Sequence, residues 1–528
     1  MLAFLALTAV QAVAIRPYLP PDELYHVGYA ASVLDGRLPT LTSPLPGDRV
    51  PLLPDDGRPR RVYVANHPPL FYAVTALPLA AGERFGAPRA GFLAARLLSA
   101  VLAAAGVVMV AWLALLLVPG RPRVAVGAAW LAALLPGLPH VSAFVYNDGL
   151  GFLAASATLV AAVLVVRHGP TGPRLAWLTG AAAAAALTRA PGLALVALAA
   201  TAAAGGVLLH GRRPAAPRVL AAAGAAAVVG LAAGGSAIGF YLRNRTLYGS
   251  LTGAAYNQEL FRFEPQNHVL DLIVSPAYGL RLYDGLWVWT RFNLPRVPTP
   301  AALVAVPRVI GLLVLAGLAM AAATRLRAQR STRDGTTTGG PAAAAWALAL
   351  AWPVGVYAMV ASYDGNGGHT HPRYLFPGLA VLAVVAALGL DRLPGGRRGL
   401  WLMVVPVAQL ALTGAAWAGL VTALAGRRPD DPADLLGTVA RLLEAGGLAR
   451  PWLLLAPAGA VLLAGLALLV LAVGWTAPAG TADDAVTDTG RLEGSPDERI
   501  AARAGGSPAG LRGRPGGGAA TAGQPPGP

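Results

Sequence analysis

Residues 19–26 have the sequence LPPDELYH and follow directly on an apolar segment, roughly residues 1–15. Two carboxylates and a histidine therefore stand within a turn or two of a predicted first membrane span. Ionisable groups at that depth are costly in lipid and are usually functional. The two prolines prevent helix formation and place Asp22 near a helix start, where the helix dipole favours a carboxylate. The segment predicts either a capping Asp on an interfacial helix or an acidic residue of an active site.

The composition is that of a polytopic membrane protein. Of the 528 residues, 55% are hydrophobic and only 12% are charged, whereas soluble globular proteins carry about 25% charged residues. The net charge of +16 comes from arginine alone, and the arginines cluster in short loops between apolar runs. That distribution is typical of orientation signals and argues against a nucleic-acid partner. The absence of cysteine excludes disulfides and thiolate sites.

The apolar runs predict an all-α polytopic fold with about 12 transmembrane helices. A transmembrane domain is expected over residues 1–474. It includes a long first external loop at 17–90, which contains interfacial helices, and a second long external loop at 242–300. Residues 475–528 are rich in Gly, Pro and Ala, so we expect a disordered cytoplasmic tail there.

The orientation of the chain follows from its basic loops. Short loops containing Arg121, Arg167, Arg212, Arg325 and Arg397 all fall on one side if the N-terminus is cytoplasmic. The positive-inside rule assigns that side to the cytoplasm. The polar motifs between the other spans then all face the exterior, although they played no part in the assignment.

The first of these motifs holds adjacent carboxylates. In a helix, Asp22 and Glu23 point about 100° apart and cannot both face one atom. One can act as a general base while the other caps the helix, pairs with an arginine or orients a neighbour. His26 lies four residues after Asp22 and shares its face if the stretch is helical; the alternative is an interfacial histidine without a catalytic role.

Two further polar groups stand at external span ends. Asn147 and Asp148 begin one span, where they either line the same cavity or cap the helix. Arg189 precedes Pro191 in a very apolar region. It either contributes a charge to the cavity or snorkels from a span end.

The stretch HTHPRY, residues 369–374, is the second strong signal. His369 and His371 could bind a divalent metal, but the spacing of nearby carboxylates does not favour one. Arg373 at a span mouth suits a phosphate better, and Arg243 could serve likewise. A Gly-rich nucleotide loop and a soluble nucleotide-binding domain are both absent from the sequence. A sugar donor, if the protein uses one, should therefore be carried by a lipid.

The chain resembles the type C glycosyltransferase superfamily, in particular bacterial relatives of dolichyl-phosphate-mannose protein mannosyltransferases and of aminoarabinose transferases. The motifs that carry the resemblance run in order over about the first 390 residues: Pro21-Asp22-Glu23 with His26, His67-Pro68-Pro69-Leu70-Phe71-Tyr72, Arg96-Leu97-Leu98-Ser99, Tyr146-Asn147-Asp148, Leu187-Thr188-Arg189, Arg243-Asn244 with Tyr248-Gly249, and Arg373-Tyr374. Each motif is short, and their order and common side are the specific part.

The resemblance implies a polyprenyl-phosphate sugar donor and an acidic base in the first external loop. It assigns the base to Asp22 and a second acidic role to Asp148, and Arg189 stands where relatives often have lysine. It also implies a multi-pass protein of a bacterial plasma membrane with an external active face. The soluble C-terminal domain of some relatives is missing, so the acceptor could be a lipid, a glycan or a protein.

The candidate site residues fall into two groups. The catalytic candidates are Asp22, Glu23 and Asp148. The substrate-binding candidates are His26, His67, Asn147, Arg189, Arg243, His369, His371, Arg373 and Tyr374. The rival functions are a transporter or flippase of lipid-linked glycans and a non-catalytic envelope-assembly protein.

Overall fold

The structure is a computed structural model that describes residues 1–54, 59–212, 214–262, 267–288, 301–331, 340–368, 371–393 and 399–474. In those ranges the regular secondary structure is helical, apart from one isolated β-bridge between Pro44 and Arg61. The tail predicted at 475–528 lies outside the described residues.

The helices are numbered here in chain order. The first ten are α1 (Leu2–Ala14), α2 (Glu23–Leu34), α3 (Leu70–Arg84), α4 (Pro88–Leu117), α5 (Pro122–Ala133), α6 (Gly137–Ser142), α7 (Asp148–His168), α8 (Gly172–Ala186), α9 (Pro191–His210) and α10 (Ala215–Tyr248). The others are α11 (Ala254–Leu260), α12 (Val269–Val274), α13 (Pro276–Trp287), α14 (Ala302–Ser331), α15 (Gly340–Gly365), the 3₁₀ helix Pro372–Gly378, α16 (Leu379–Asp391), α17 (Leu400–Ala425), α18 (Pro432–Ala445) and α19 (Trp452–Gly474).

Nine helices in the described ranges are long and apolar enough to cross a membrane. They are α4, α7, α9, α10, α14, α15, the run Pro372–Asp391, α17 and α19. The chain is therefore an all-helical, multi-span membrane protein. The predicted number of about 12 is not confirmed, because α1, α5 and α8 have only 13, 12 and 15 residues. At about 1.5 Å per residue they are shorter than a hydrocarbon core of about 30 Å.

Prolines account for two of the short helices. Helix α5 ends at Ala133, and Pro136 lacks the N–H needed to continue it. Helix α8 ends at Ala186, and Pro191 opens α9. The turn between α8 and α9 holds Arg189, and Gly192 packs so closely on Ala185 that a side chain would not fit there.

The first long loop has an apolar core of its own. Helices α2 and α3 pack together and bury Val27, Phe71 and Tyr72, while Leu41 and Val62 from the intervening loop complete the same cluster. This cluster is separate from the main core of the helix bundle. Helices α2 and α3 lie in the stretch 17–90, where interfacial helices were predicted, and they form one packed layer that fixes where α2 begins.

The second long loop begins later than predicted. Helix α10 continues to Tyr248, so residues 242–248 are helical rather than part of the loop at 242–300. The buried Tyr248 hydroxyl accepts a hydrogen bond from the Leu41 backbone N–H at 3.0 Å. This contact ties the end of α10 to the first loop.

The two ends of α4 differ in chemistry. Beyond its C-terminal end, Asp391 pairs with Arg123 at 2.6 Å and with Arg121 at 3.5 Å. Near its N-terminal end, Arg96 pairs with Glu23 at the start of α2. Because α4 has 30 residues, it separates these ends by about 45 Å. One end thus carries a predicted cytoplasmic loop, and the other carries the LPPDELYH motif.

This arrangement leads to a topological prediction. A reporter fused after Arg327 should report the cytoplasm, and one fused at Gly367 should report the exterior, because the positive-inside rule assigns the basic loops to the cytoplasmic side. Paired alkaline phosphatase and green fluorescent protein fusions measure both positions. The opposite pattern would place the site described below inside the cell.

Candidate active site

Asp22 lies at the N-terminal end of α2 without acting as a side-chain cap. Its side chain makes no capping hydrogen bond. Instead, Oδ1 accepts from the Tyr63 hydroxyl at 2.5 Å, and Oδ2 pairs with the Arg373 guanidinium. The Asp22 side chain is 24% exposed, which leaves one side open to a substrate. The capping interpretation of Asp22 is therefore wrong for this side chain.

Four charged side chains alternate in sign across the site. Arg373 bridges Asp22 and Asp148, with its Nε 3.9 Å from Asp148 Oδ2. Arg189, from the turn between α8 and α9, pairs with the other oxygen of Asp148. The run Asp22–Arg373–Asp148–Arg189, called the charge chain below, brings together residues separated by up to 351 positions. Its net charge is zero when all four groups are ionised.

Close helix packing holds Asp148 in this position. Asp148 is the first residue of α7, and its side chain is only 2% exposed. The next residue is Gly149, where a Cβ would lie 2.7 Å from the Ser99 carbonyl oxygen of α4. A larger residue there would push α7 away from α4 and move Asp148 out of the charge chain.

Aromatic rings surround the guanidinium groups. The Cζ of Arg373 lies 4.7 Å from the Tyr146 ring centroid, and Tyr374 lies near both Arg189 and Arg373, at 5.4 and 5.8 Å. Such contacts stabilise a cation without neutralising it. Among the described residues, Arg373 Nε and the Nδ2 of the buried Asn147 have no hydrogen-bond partner. The site therefore keeps two N–H donors that a ligand oxygen could use.

The two histidines of the motifs lie beside the charge chain as neutral groups. Burial lowers the pKa of His26 to about 3, against the attraction of the Asp22 carboxylate. Burial and then the Arg189 charge lower the pKa of His67 well below its ordinary value. The rings of His26 and His67 stack with centroids 6.2 Å apart, and His26 Nδ1 lies 3.0 Å from the Tyr72 hydroxyl. Both histidines are uncharged at neutral pH.

Asp22 is fully ionised in the resting arrangement. Burial works against its ionisation, but the Arg373 guanidinium and the Tyr63 hydroxyl outweigh it and hold the pKa of Asp22 well below its usual range. A carboxylate with such a low pKa is a weak proton acceptor. Removal of the Arg373 charge would raise the pKa of Asp22 and make it a stronger proton acceptor.

Glu23 occupies a different environment from its neighbour. Its two oxygens accept from Arg96 Nε at 2.7 Å and from Arg96 Nη2 at 2.6 Å. Both side chains are almost completely buried, and Arg96 also donates to the carbonyls of Ala12 and Ile15 at 2.6 and 2.7 Å. The Val145 N–H donates to Glu23 at 3.1 Å. Glu23 therefore joins the end of α1, the start of α2 and the segment leading to Asp148, and it has no open side for a substrate.

Three other candidates differ from the central group. Arg243 donates to the carbonyls of Leu38 and Pro39 at 3.0 and 2.8 Å, which places it on the first loop rather than in the charge chain. The Nδ1 of His371 accepts from the Arg373 N–H at 3.2 Å and caps the 3₁₀ helix. His369 lies outside the described residues. Within the described ranges, no group of three His, Asp or Glu side chains is placed to hold a metal ion.

The structure adds residues that sequence reasoning did not assign to the site. Tyr63 donates to Asp22, yet it lies in a polar loop without any pattern that would mark it. Tyr146 and Arg96 belong to motifs of the family resemblance, but their partners are distant in sequence. Besides that motif, the signal for Arg96 was an arginine within the apolar run of a predicted span.

No protein-family model and no curated protein sequence matches the chain. Among solved structures, it is similar to ArnT from Cupriavidus metallidurans bound to undecaprenyl phosphate. The identity is 18% and the TM-score 0.44, and the alignment covers 89% of this chain and 76% of that one. ArnT is a type C glycosyltransferase.

The chain is also similar to the oligosaccharyltransferase AglB from Archaeoglobus fulgidus in complex with an inhibitory peptide and a dolichol-phosphate, with 14% identity and a TM-score of 0.37. That alignment covers 95% of this chain and 59% of that one. AglB too is a type C glycosyltransferase. With TM-scores below 0.5, neither likeness assigns a role to any residue of this chain.

Proposed function

We propose that the protein is an inverting, hexosyltransferase-like membrane glycosyltransferase, which moves a sugar from a polyprenyl phosphate to an acceptor hydroxyl on the external face of a bacterial plasma membrane. The observation that carries this proposal is the charge chain at one end of the helix bundle. It places a partly exposed carboxylate, Asp22, beside the Arg373 guanidinium, and Asp148 holds a second guanidinium, that of Arg189. Guanidinium groups suit a phosphate. All four residues of the charge chain belong to the sequence motifs that resemble type C glycosyltransferases.

The pairing within the charge chain explains how the site tolerates its charges before the sugar donor binds. Arg373 and Asp148 are largely buried, and an unpaired buried charge is strongly unfavourable. Alternation gives each charge a partner of opposite sign. A donor phosphate competes with the carboxylates for the guanidinium groups, and Arg373 Nε and Asn147 Nδ2 can donate to its oxygens.

Donor binding then prepares Asp22 for its role as the base. When Arg373 turns to the phosphate, the pKa of Asp22 rises towards its ordinary value, because the carboxylate loses its counter-ion. The acceptor hydroxyl gives its proton to Asp22 as its oxygen attacks the anomeric carbon. The bond between that carbon and the phosphate oxygen breaks, and Arg373 stabilises the departing polyprenyl phosphate. Direct displacement of this kind inverts the anomeric centre.

The other candidates have different parts in this scheme. Asp148 holds Arg189 and Arg373 in place, while Tyr374 lies beside both guanidinium groups, where it can pack against the isoprenoid. We assign Glu23 a positioning role, because its oxygens are already bonded to Arg96.

A transporter or flippase is the principal rival function. Transporter sites tend to lie near the bilayer midplane on broken helices. The charge chain instead joins the ends of several helices, namely the starts of α2 and α7, the turn before α9 and the 3₁₀ helix. Its position favours an enzyme whose substrates meet at one membrane face.

Variants of Arg373 test the phosphate role. Arg373→Ala should lower transfer by about 30- to 1,000-fold, which corresponds to about 2 to 4 kcal/mol for a charged, bidentate contact in a partly dry site. Arg373→Lys should retain part of the activity, since it keeps the charge but loses the planar fork. Both variants should bind undecaprenyl phosphate more weakly than the wild type does, as measured in lipid nanodiscs by native mass spectrometry.

The control is Arg308→Ala, which removes an arginine from a surface pair with Asp284 at 2.6 Å. It should change neither binding nor transfer. Folded Arg373→Ala protein with wild-type values for both quantities would rule out the phosphate role.

A further inference from the structure

Three aromatic side chains form a cluster that is linked to Asp22 through Tyr63. The Tyr63 ring has its centroid 4.1 Å from that of Tyr25 and 5.1 Å from that of Phe261. Tyr25 and Tyr63 are half-buried, and Phe261 is 42% exposed. The Tyr63 hydroxyl donates to Asp22. These three rings are called the aromatic platform below, and their central ring, Tyr63, is hydrogen-bonded to the candidate base.

Helix α11 places Phe261 over the first loop. Gly253, Asn257 and Phe261 follow one another at intervals of four residues and therefore share one face of this helical segment. At one end of that face, a Cβ on Gly253 would lie 3.1 Å from the Cβ of Asn66, and at the other end Phe261 meets Tyr63. The segment thus lies across residues 63–66.

Asn257 stands midway along this face. Its Oδ1 is buried, and it has no hydrogen-bond partner in the described part of the chain. Buried polar atoms in native proteins are nearly always hydrogen-bonded, so an exception calls for an explanation. A ligand hydroxyl that reaches the edge of α11 would supply the missing hydrogen-bond donor.

We propose that the aromatic platform is the acceptor subsite and that the acceptor is a carbohydrate. This inference rests on the proposed function, since it names the acceptor of the same site. A sugar ring has a face of C–H groups, which carry partial positive charge and suit the negative face of an aromatic ring. Its rim of hydroxyls needs hydrogen-bonding groups, which Asp22 and Asn257 provide. A sugar stacked on Tyr25 or Phe261 would lie beside Tyr63, whose hydroxyl is hydrogen-bonded to the Asp22 carboxylate.

The platform suits a sugar better than the other two acceptors. A lipid chain would favour an aliphatic groove, whereas two of the three rings carry hydroxyl groups. An extended peptide binds well by adding to a sheet edge, and the described residues form no sheet. Aromatic residues also anchor membrane proteins at the interface, and the experiment below separates that role from sugar binding.

The test measures sugar binding by the full-length protein in lipid nanodiscs. Saturation-transfer-difference NMR with a panel of free mono- and disaccharides identifies the best binder and its Kd. The variants are Tyr25→Ala, Phe261→Leu and Phe261→Ala, of which Phe261→Leu keeps the apolar bulk and removes the ring. The matched control is Phe85→Ala, because Phe85 is 77% exposed and follows α3 in the same first loop. Undecaprenyl phosphate binding is measured on the same samples.

The wild type should show saturation at the C–H protons of the sugar. Each loss of a platform ring should weaken binding about three- to tenfold, from the usual strength of an aromatic contact. Phe85→Ala should have no effect, and all variants should bind undecaprenyl phosphate as the wild type does.

Two results would overturn the acceptor assignment alone. One is a wild type that binds undecaprenyl phosphate but no sugar of the panel. The other is equal sugar binding by the wild type, Tyr25→Ala and Phe261→Leu, which would leave the rings as interfacial anchors. A wild type that fails to bind undecaprenyl phosphate would overturn the proposed function and the acceptor assignment together.

Discussion

Replacing Asp22 with asparagine is expected to lower sugar transfer by about 10²- to 10⁴-fold, the usual contribution of a general base. Asparagine has nearly the same shape as aspartate but cannot take up the acceptor proton. It also ceases to compete for Arg373, with which Asp22 forms an ion pair at rest. Undecaprenyl phosphate should therefore bind Asp22→Asn at least as tightly as it binds the wild type.

The rate can be measured before the substrates are identified. A lipid and glycan extract from a deletion strain should contain the accumulated donor and acceptor, and membranes with each variant supply the enzyme. The matched control is Asp284→Asn, since Asp284 also pairs with an arginine, Arg308, but lies outside the charge chain. A scaffold would lose nothing in Asp22→Asn. Wild-type transfer by this variant would remove Asp22 from the chemistry.

Replacing Glu23 with glutamine is expected to destabilise the protein by about 3 to 5 kcal/mol, the usual cost of breaking a buried ion pair. The Arg96 side chain is 1% exposed and would keep its charge without a counter-ion. The double variant Glu23→Gln/Arg96→Met should recover part of the loss, because it no longer buries a charge. Thermal unfolding of the purified proteins in nanodiscs, followed by intrinsic fluorescence, measures the differences.

The control for this variant is a second glutamate–arginine ion pair, which is exposed in the same first loop. Glu83 pairs with Arg49 at 2.7 Å, and both side chains are well exposed. Glu83→Gln should change the unfolding temperature little, since exposed ion pairs contribute little to stability. Equal unfolding temperatures for Glu23→Gln and Glu83→Gln would contradict the positioning role of Glu23.

Much of the site could be predicted from local chemistry. Pro20 and Pro21 end any helix before Asp22, and α2 begins at Glu23. The side of the membrane followed from the basic loops, which put Asp148, Arg189 and Arg373 together on one face. The structure brings these side chains into contact, because they all lie at helix ends or in turns.

The pairings could not be predicted in the same way. Adjacent carboxylates look alike in a sequence, and only the position of Arg96 on α4 separates Glu23 from Asp22. Arg243 was expected to hold a phosphate, but the continuation of α10 turns it towards carbonyls of the first loop. The span count was uncertain for a related reason, since proline breaks shorten helices whose composition is uniformly apolar.

The most direct test of the phosphate site is a cryo-electron-microscopy structure of the protein in nanodiscs with undecaprenyl phosphate. We expect the phosphate within hydrogen-bond distance of Arg373, with Arg189 or Asn147 as a second contact and the ion pair between Arg373 and Asp22 broken. A phosphate bound elsewhere, with the charge chain Asp22–Arg373–Asp148–Arg189 intact beside it, would contradict the assignment of this cluster as the donor site.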